Sequence, residues 1–346
     1  MQRLYIQMHS NKSISFAYVS AILFVVIALL LGVSLGTVYI PFQEVINVVL
    51  YKVIRVSFTS IDPTNTDIVL MVRMPRVVLA GLVGASLAIA GAAFQGLLRN
   101  PLADPYTLGV SSGASVGAVC TLFFHLSFIG LFTLPVLSIG ASFLTIFFVL
   151  LLAKKIESSM KVETIILTGI ITSSFLSALL SLMIALTGNE LRQIIGWLLG
   201  SVSMRGWSYV WIIVPFFIIG SVLLFANVKE LNAISFGEDQ AQYTGVNVAR
   251  RKMIILIAGS LLTGAAVAVS GTIGFVGLVI PHFVRLLWRA NHIHLLPLSA
   301  CFGAGFLILA DLISRTIIEP SELPIGVITA LLGAPVFAMI LLKRRR

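Results

Sequence analysis

The stretch RKMIILIAGSLLTGAAVAVSGTIGFVGLVIPHFVRLLWR, residues 251–289, is almost continuously apolar between its flanking basic residues. As a single helix it would run about 58 Å at 1.5 Å per residue, roughly twice the thickness of a bilayer's hydrocarbon core. The segment Ser270-Gly271-Thr272-Ile273-Gly274 is the natural break, and a break there makes two membrane passages out of one run. Comparable apolar runs lie on both sides. Together they place spans near 16–39, 77–98, 109–130, 132–153, 164–187, 207–227, 251–271, 274–289, 295–316 and 324–343. The reading predicts an all-α, polytopic membrane protein with about ten transmembrane helices.

Composition agrees. Hydrophobic residues make up 58% of the 346 positions and charged residues 10%, too few charges to cover a water-exposed surface of this size. The formal net charge of +10 does not point to nucleic acid, because the basic residues cluster at the ends of apolar runs. An even number of spans with the N-terminus inside leaves Lys52, Arg55, Arg73, Arg76, Arg192, Arg205 and Arg315 outside and every other Lys and Arg inside. That distribution obeys the positive-inside rule and predicts cytoplasmic N- and C-termini, the latter reinforced by the Lys343–Arg346 run. The apolar stretch from about Phe16 is too long for a secretory signal and reads as the first span.

Small residues predict how the helices pack. Ala80, Gly84, Ala88, Ala92 and Gly96 recur every fourth position, as do Gly109, Gly113 and Gly117. Such stripes let backbones approach closely in lipid, so the second span is expected to be buried among its neighbours. Between spans, residues 41–55 read as a short external amphipathic helix with Pro41 at its first turn. Residues 228–250 form the longest polar stretch expected on the inside.

Catalytic and metal chemistry find no foothold. Cys120 and Cys301 lie in apolar segments, and neither a phosphate-binding loop nor a His-Glu-x-x-His pair occurs. His292 and His294 read as interfacial residues rather than metal ligands. Asp311 is the best candidate for a membrane-embedded carboxylate of a proton-coupled pump, and a local pair with Arg315 at i, i+4 accounts for it more simply. With no buried coupling site and no inverted repeat, a secondary transporter is disfavoured, and no constellation suggests an intramembrane enzyme. The driving force is expected from a partner.

Five motifs, in order and spacing, resemble one family. They are RMPR (73–76), QGLLRNPLADPYTLGVSSG (95–113), GEDQA (237–241) followed by GVN (245–247), GFVGLVIPHFVR (274–285) and ELPIGVITALLGAPVF (322–337). From about residue 16 onward the chain resembles the iron-siderophore and vitamin B12 permeases, the membrane subunits of binding-protein-dependent ABC importers. The resemblance implies one transmembrane permease domain over residues 1–346 in a bacterial plasma membrane, paired with a second permease subunit, identical or similar. It further implies two ATPase subunits on the cytoplasmic side and an extracytoplasmic substrate-binding protein. No cofactor is expected in this chain, since ATP and Mg belong to the ATPase.

The resemblance also assigns residues. Arg73, Arg76 and Arg315 match positions that pair with glutamates of the binding protein, a task that suits the guanidinium fork; interfacial snorkelling is the alternative. Gly237, Glu238, Asp239, Ala241 and Gly245 match the coupling segment seated in the ATPase, against the alternative of a solvated loop. The fifth span is expected to line the pathway with Thr164, Thr168, Thr172, Ser173, Ser174, Ser177 and Ser181, and Asn100, Leu102 and Thr164 to form a cytoplasmic gate. Hydroxyls in membrane helices also bond commonly to their own backbone. The implied cargo is a ferric siderophore or related iron chelate, with cobalamin or heme as alternatives.

Overall fold

The computed structural model describes residues 2–36, 38, 40–54, 62–157, 160–288 and 291–344. Arg55, Arg289, Arg345 and Arg346, which entered the charge assignment, lie outside the described residues, as do the side chains of Arg3, Lys12, Lys52, Lys343 and Arg344. Among the described residues all regular structure is helical. In chain order the helices are α1 (Gln2–Ser34), α2 (Phe42–Ile54), α3 (Pro63–Asp67), α4 (Met74–Leu97), α5 (Val110–Phe123), α6 (Thr133–Ile156), α7 (Val162–Leu186) and α8 (Leu191–Leu198). They continue with α9 (Trp207–Ala226), α10 (Val228–Phe236), α11 (Glu238–Tyr243), α12 (Val248–Ser270), α13 (Val276–Leu287), α14 (His292–Thr316) and α15 (Ile325–Arg344).

Each of the ten expected spans falls on a helix. Seven of these segments are long and apolar enough to cross a bilayer, whereas α5, α13 and the apolar part of α15 are shorter. The run at 251–289 breaks where its glycines allow. Gly271 has φ +72°, and a Cβ there would lie 2.1 Å from the Trp197 carbonyl oxygen. Opened backbone inside a membrane protein must find partners within the protein. The Tyr106 hydroxyl donates to the Ile273 carbonyl at 2.8 Å and accepts from the Ile273 N–H at 3.0 Å. The Ser270 carbonyl accepts from Ser201 N–H at 2.7 Å.

The second span differs from its expected boundary. A continuous helical segment runs from Pro63 to Leu97, so Arg73 and Arg76 sit within a helix rather than in the connection before one. Residues Ile68–Arg73 are π-helical, with the Met74 N–H bonded to the Val69 carbonyl. Pro75 has no N–H to give and crowds the preceding turn. A local π-bulge is one of the ways a helix accommodates such an interruption.

α4 and α12 form the buried centre, with α1, α6, α9, α13 and α14 packed around them. The small-residue stripe explains the position of α4. A Cβ on Gly84 would stand 2.2 Å from the Gly303 carbonyl oxygen of α14, and one on Gly91 would stand 1.9 Å from that of Gly277 in α13. Gly113 and Gly117 admit α6 in the same way, against Thr145 and the Leu137 carbonyl.

The bundle has two distinct ends. Its lower end gathers the start of α1 (Tyr18 to His294, 3.1 Å), the α6–α7 link (Met160 to Lys252, 3.0 Å), α10 and the first turn of α14. Its upper end gathers the close of α1, the π-helical segment, the start of α9 (Trp207 to the Leu70 carbonyl, 2.9 Å) and the α14–α15 connection.

Overpacking a core helix contact costs about 1–3 kcal/mol and more when the obstacle is backbone. Gly84→Ala and Gly91→Ala are therefore each expected to lower the thermal unfolding midpoint of the purified protein markedly. Gly140→Ala, where a Cβ meets nothing within 4 Å, should be neutral or stabilising by up to about 1 kcal/mol. Fluorescence-detected size-exclusion after heating separates the three variants.

Candidate functional site

At the upper end, the three arginines singled out in the sequence are drawn into the bundle. Arg73, Arg76 and Arg315 are 4%, 8% and 4% exposed, which leaves none of them standing free at the surface. Arg73 donates through Nη1 to the carbonyls of Val33 (3.0 Å) and Ser34 (2.8 Å) and through Nη2 to that of Val38, closing the end of α1. Arg76 makes the strongest arrangement. Its Nε lies 3.0 and 3.1 Å from the two Asp311 oxygens, its Nη2 2.9 Å from Asp311 Oδ1, and its Nη1 2.7 Å from Glu322 Oε1. One guanidinium thus joins α4, α14 and the α14–α15 connection.

Asp311 is fully buried, and its main partner is Arg76, 235 residues away in sequence. The expected local pair with Arg315 is also present, as the longer of the two contacts. Arg315 Nε stands 3.8 Å from Asp311, while its Nη2 donates to the Gly32 carbonyl. Glu322 is the accessible member, with its side chain 32% exposed. Burial alone would raise its carboxyl, but hydrogen bonds from Arg76 and Ser203 and the Arg76 charge outweigh that and hold it below its ordinary value.

At the lower end, residues 228–250 fold into α10 and α11 rather than an irregular loop. Gly237, at φ 142° and ψ 142°, joins the two helices in a conformation that essentially only glycine adopts. Glu238 and Asp239 occupy the first turn of α11, where the helix dipole favours acids. Glu238 accepts from Lys252 Nζ at 2.6 Å; that lysine side chain is 1% exposed and also donates to the Met160 carbonyl. Ala241 is buried in the core, and Gly245 turns the chain with φ +84°.

Of the five residues expected to couple, then, Gly237, Glu238, Ala241 and Gly245 shape and anchor the segment, while Asp239 faces outward. Beside it stand two aromatics that the sequence reading passed over, Phe236 at 79% and Tyr243 at 91% exposure. Their signal was available: each is an aromatic residue in the most polar stretch of the chain.

Along α7 the hydroxyls divide. Thr168 and Thr172 are buried and bond back to the carbonyls of Thr164 and Thr168, and Thr164 donates to Glu157 at 2.7 Å. Ser173 turns toward Gly109. The open face presents Ser174, Ser177 and Ser181, three of the expected lining residues, among Leu167, Ile171, Phe175 and Leu182. Asn100 is exposed and accepts from the Leu102 N–H at 2.9 Å. Leu98 and Ala103, on either side, pack against Val162 and Ile166 at the start of α7. The turn that carries Asn100 and Leu102 thus lies beside the start of α7, and the expected lining is only partly on the open face.

Comparison with known proteins fits this arrangement. The sequence matches the FecCD transport family over residues 23–343. It is 62% identical over 332 residues to YvrB of Bacillus subtilis (strain 168), an uncharacterized ABC transporter permease protein, covering 95% of this chain and 94% of that one. It is 42% identical over 285 residues to the cobalamin import system permease BtuC of Halobacterium salinarum, covering 82% and 76%. A solved chain described as a metal-chelate type ABC transporter in an inward-facing conformation superposes with TM-score 0.82 at 34% identity, covering 95% of this chain and 99% of that one.

Removing one partner from a buried ion pair costs about 3–5 kcal/mol, since the other charge is stranded. Arg76→Met should therefore destabilise the protein by about that amount, and Arg76→Met/Asp311→Leu should recover most of it, read by thermal or denaturant unfolding. The pH dependence has a definite sign. Glu322 titrates below its ordinary 4.5 in the folded protein, so its contribution holds at neutral pH and fades as pH falls through the lower, folded value. Unfolding midpoints between pH 6 and pH 3 should fall less steeply in Glu322→Gln than in the parent.

Proposed function

The chain belongs to the FecCD transport family, and from that premise we propose that it is the permease subunit of a binding-protein-dependent ABC importer. It acts as a multi-pass protein of a bacterial plasma membrane, with the lower end in the cytoplasm. The observation that carries this reading is the contrast between the two ends. The lower end bears Arg99, Lys154, Lys155, Lys161, Lys229, Arg250 and Arg251, as a cytoplasmic face requires, and it exposes a pair of short helices tipped with Phe236 and Tyr243.

In this reading α5, α13 and α15 complete ten membrane passages, because short helices are tolerated where neighbouring protein covers their ends. The α10–α11 pair seats in a cytoplasmic ATPase, which holds the ATP and Mg. Movement imposed on α11 passes to α12 through the Glu238–Lys252 ion pair and to the α6–α7 link through Met160. Two permease subunits meet around the open faces of their α7 helices. There Ser174, Ser177 and Ser181 give mild polarity among apolar side chains, so a bulky ligand slides past without finding a fixed charge to hold it.

The binding protein docks on the upper end. Arg76 already carries two carboxylates, so a glutamate of the binding protein reaches it by exchange with the accessible Glu322 rather than by meeting a free cation. Arg73 and Arg315 shape the rim on which that exchange occurs. The cargo is a ferric siderophore or related iron chelate, a reading supported by the structural likeness to a metal-chelate type transporter. A cobalamin importer is the second reading, favoured by the 42% identity to a cobalamin permease.

The test is uptake into proteoliposomes holding this chain with its ATPase and binding protein. ATP-dependent accumulation of radio-iron siderophore, without cobalamin uptake, is expected; the reverse selects the second reading, and uptake driven by a proton gradient without ATP would sink the importer reading. In the same vesicles, Phe236→Asp/Tyr243→Asp should cut binding-protein-stimulated ATP hydrolysis at least about tenfold, the loss of roughly 1.4 kcal/mol or more of interface, with folding unchanged.

A further inference from the structure

Two sequence motifs, QGLLRNP at 95–101, of which only Asn100 has been given a role, and GFVGLVIPHFVR at 274–285, converge on one cavity at the lower end. It has a volume of about 730 Å³ and lies between the close of α4, α10, α13 and the start of α14. That size is within the range of small-molecule sites. Arg99 and Arg285 both line it, and no Asp or Glu does. Among the described residues Arg285 donates one hydrogen bond, to Gln95 at 3.1 Å, and neither arginine has an ion-pair partner. Most of the ten guanidinium N–H donors that the two side chains carry remain available.

The surrounding polar groups are ordered toward the same space. Gln95 is fixed by donating to the Gly277 and Leu278 carbonyls at 3.2 and 3.1 Å, which leaves its oxygen to orient Arg285. His292 is 3% exposed, contrary to the interfacial position expected from sequence. Its Nδ1 is held by Asn232 at 2.7 Å, and its Nε2, buried and without a partner, lies over Gly96, another residue of the cavity wall. The start of α14 adds the positive end of a 25-residue helix.

Arg99 occupies its place at a conformational cost. It sits just past the end of α4 with φ +49°, closing a helix terminus where glycine is the usual residue. An arginine kept in that conformation, with its side chain on the cavity wall, is an outlier that asks for a use. Two guanidiniums sharing an acid-free cavity repel one another, and an oxyanion between them reverses the sign of the interaction. A phosphate group matches the donor geometry of an arginine pair.

We propose that this cavity is a binding site for a phosphate group. The group belongs either to the headgroup of an anionic phospholipid or to a soluble phosphate compound. Leu286, at 62% exposure, lines the cavity with apolar surface that an acyl chain could follow, and basic pockets between helices at the cytoplasmic side are places where anionic headgroups bind.

The test uses the full chain in nanodiscs. Thermal unfolding is followed in phosphatidylcholine alone, in phosphatidylcholine with phosphatidylglycerol, and in phosphatidylcholine with added inorganic phosphate, against chloride at equal ionic strength. The proposal expects a rise in midpoint with phosphatidylglycerol or with phosphate, and at least a tenfold weaker dose dependence in both Arg99→Gln and Arg285→Gln. A response to phosphatidylglycerol alone identifies a lipid, and one to inorganic phosphate a soluble ligand. Arg99→Gln removes an exposed side chain without an ion-pair partner, so it reports even if Arg285→Gln fails to fold. Equal responses in parent and Arg99→Gln overturn the proposal. So does a finding that the variants weaken only association with the ATPase, which would give the cavity to that partner.

Discussion

The close passage of α4 beneath the carbonyls of Gly303 and Gly277 is the contact on which the rest of the molecule depends. In lipid, apolar side chains gain nothing by leaving one solvent for another like it, so helices associate through van der Waals contact, and that contact is best where the backbones themselves touch. Gly84 and Gly91 leave no room for a Cβ on the facing side. Once α4 is locked against α13 and α14, its two ends are fixed in space. The upper end then presents Arg76 to Asp311, and the lower end presents Gln95 to Arg285.

The ends are built on opposite electrostatic principles. Above, Arg73, Arg76 and Arg315 are buried and bonded within the protein. Asp311 and Glu322 share Arg76, and the carbonyls that terminate α1 take up Arg73 and Arg315. Such a network adds little net stability over an apolar core, because desolvation offsets much of the attraction. Its value is geometric, since a bidentate fork fixes the relative position of three segments. Below, Lys252 is the one buried lysine among the described residues, and it is matched by Glu238, while the remaining basic residues surround exposed helices. An upper rim whose arginines are all bonded within the protein and a polar lower surface with protruding aromatics suit a protein approached by different partners from its two sides.

α7 shows why hydroxyl content is a poor guide to what a helix presents. Threonines at 164, 168 and 172 repeat every fourth residue and so share one face, and that face packs inward against the 105–108 turn and α5. The serines at 174, 177 and 181 lie on the other side. The difference of about 100° per residue between successive positions decides which set is buried, and only the neighbours decide which side is inside.

Much was legible before any coordinates. The apolar runs gave the helices, and the glycines at 270–274 gave the break, because an uninterrupted helix could not fit. The fourfold spacing of small residues gave the burial of α4, and five ordered motifs gave the family. These are local properties: periodicity, length and backbone freedom are written in neighbouring residues. Tertiary structure alone decided that Asp311 bonds Arg76 in addition to its local partner Arg315, that His292 is buried against Asn232, and that Phe236 and Tyr243 protrude. It alone brought Arg99 and Arg285 to one cavity. Each of those outcomes depends on which helices become neighbours, and a pairing across 235 residues leaves no trace in the spacing of either partner.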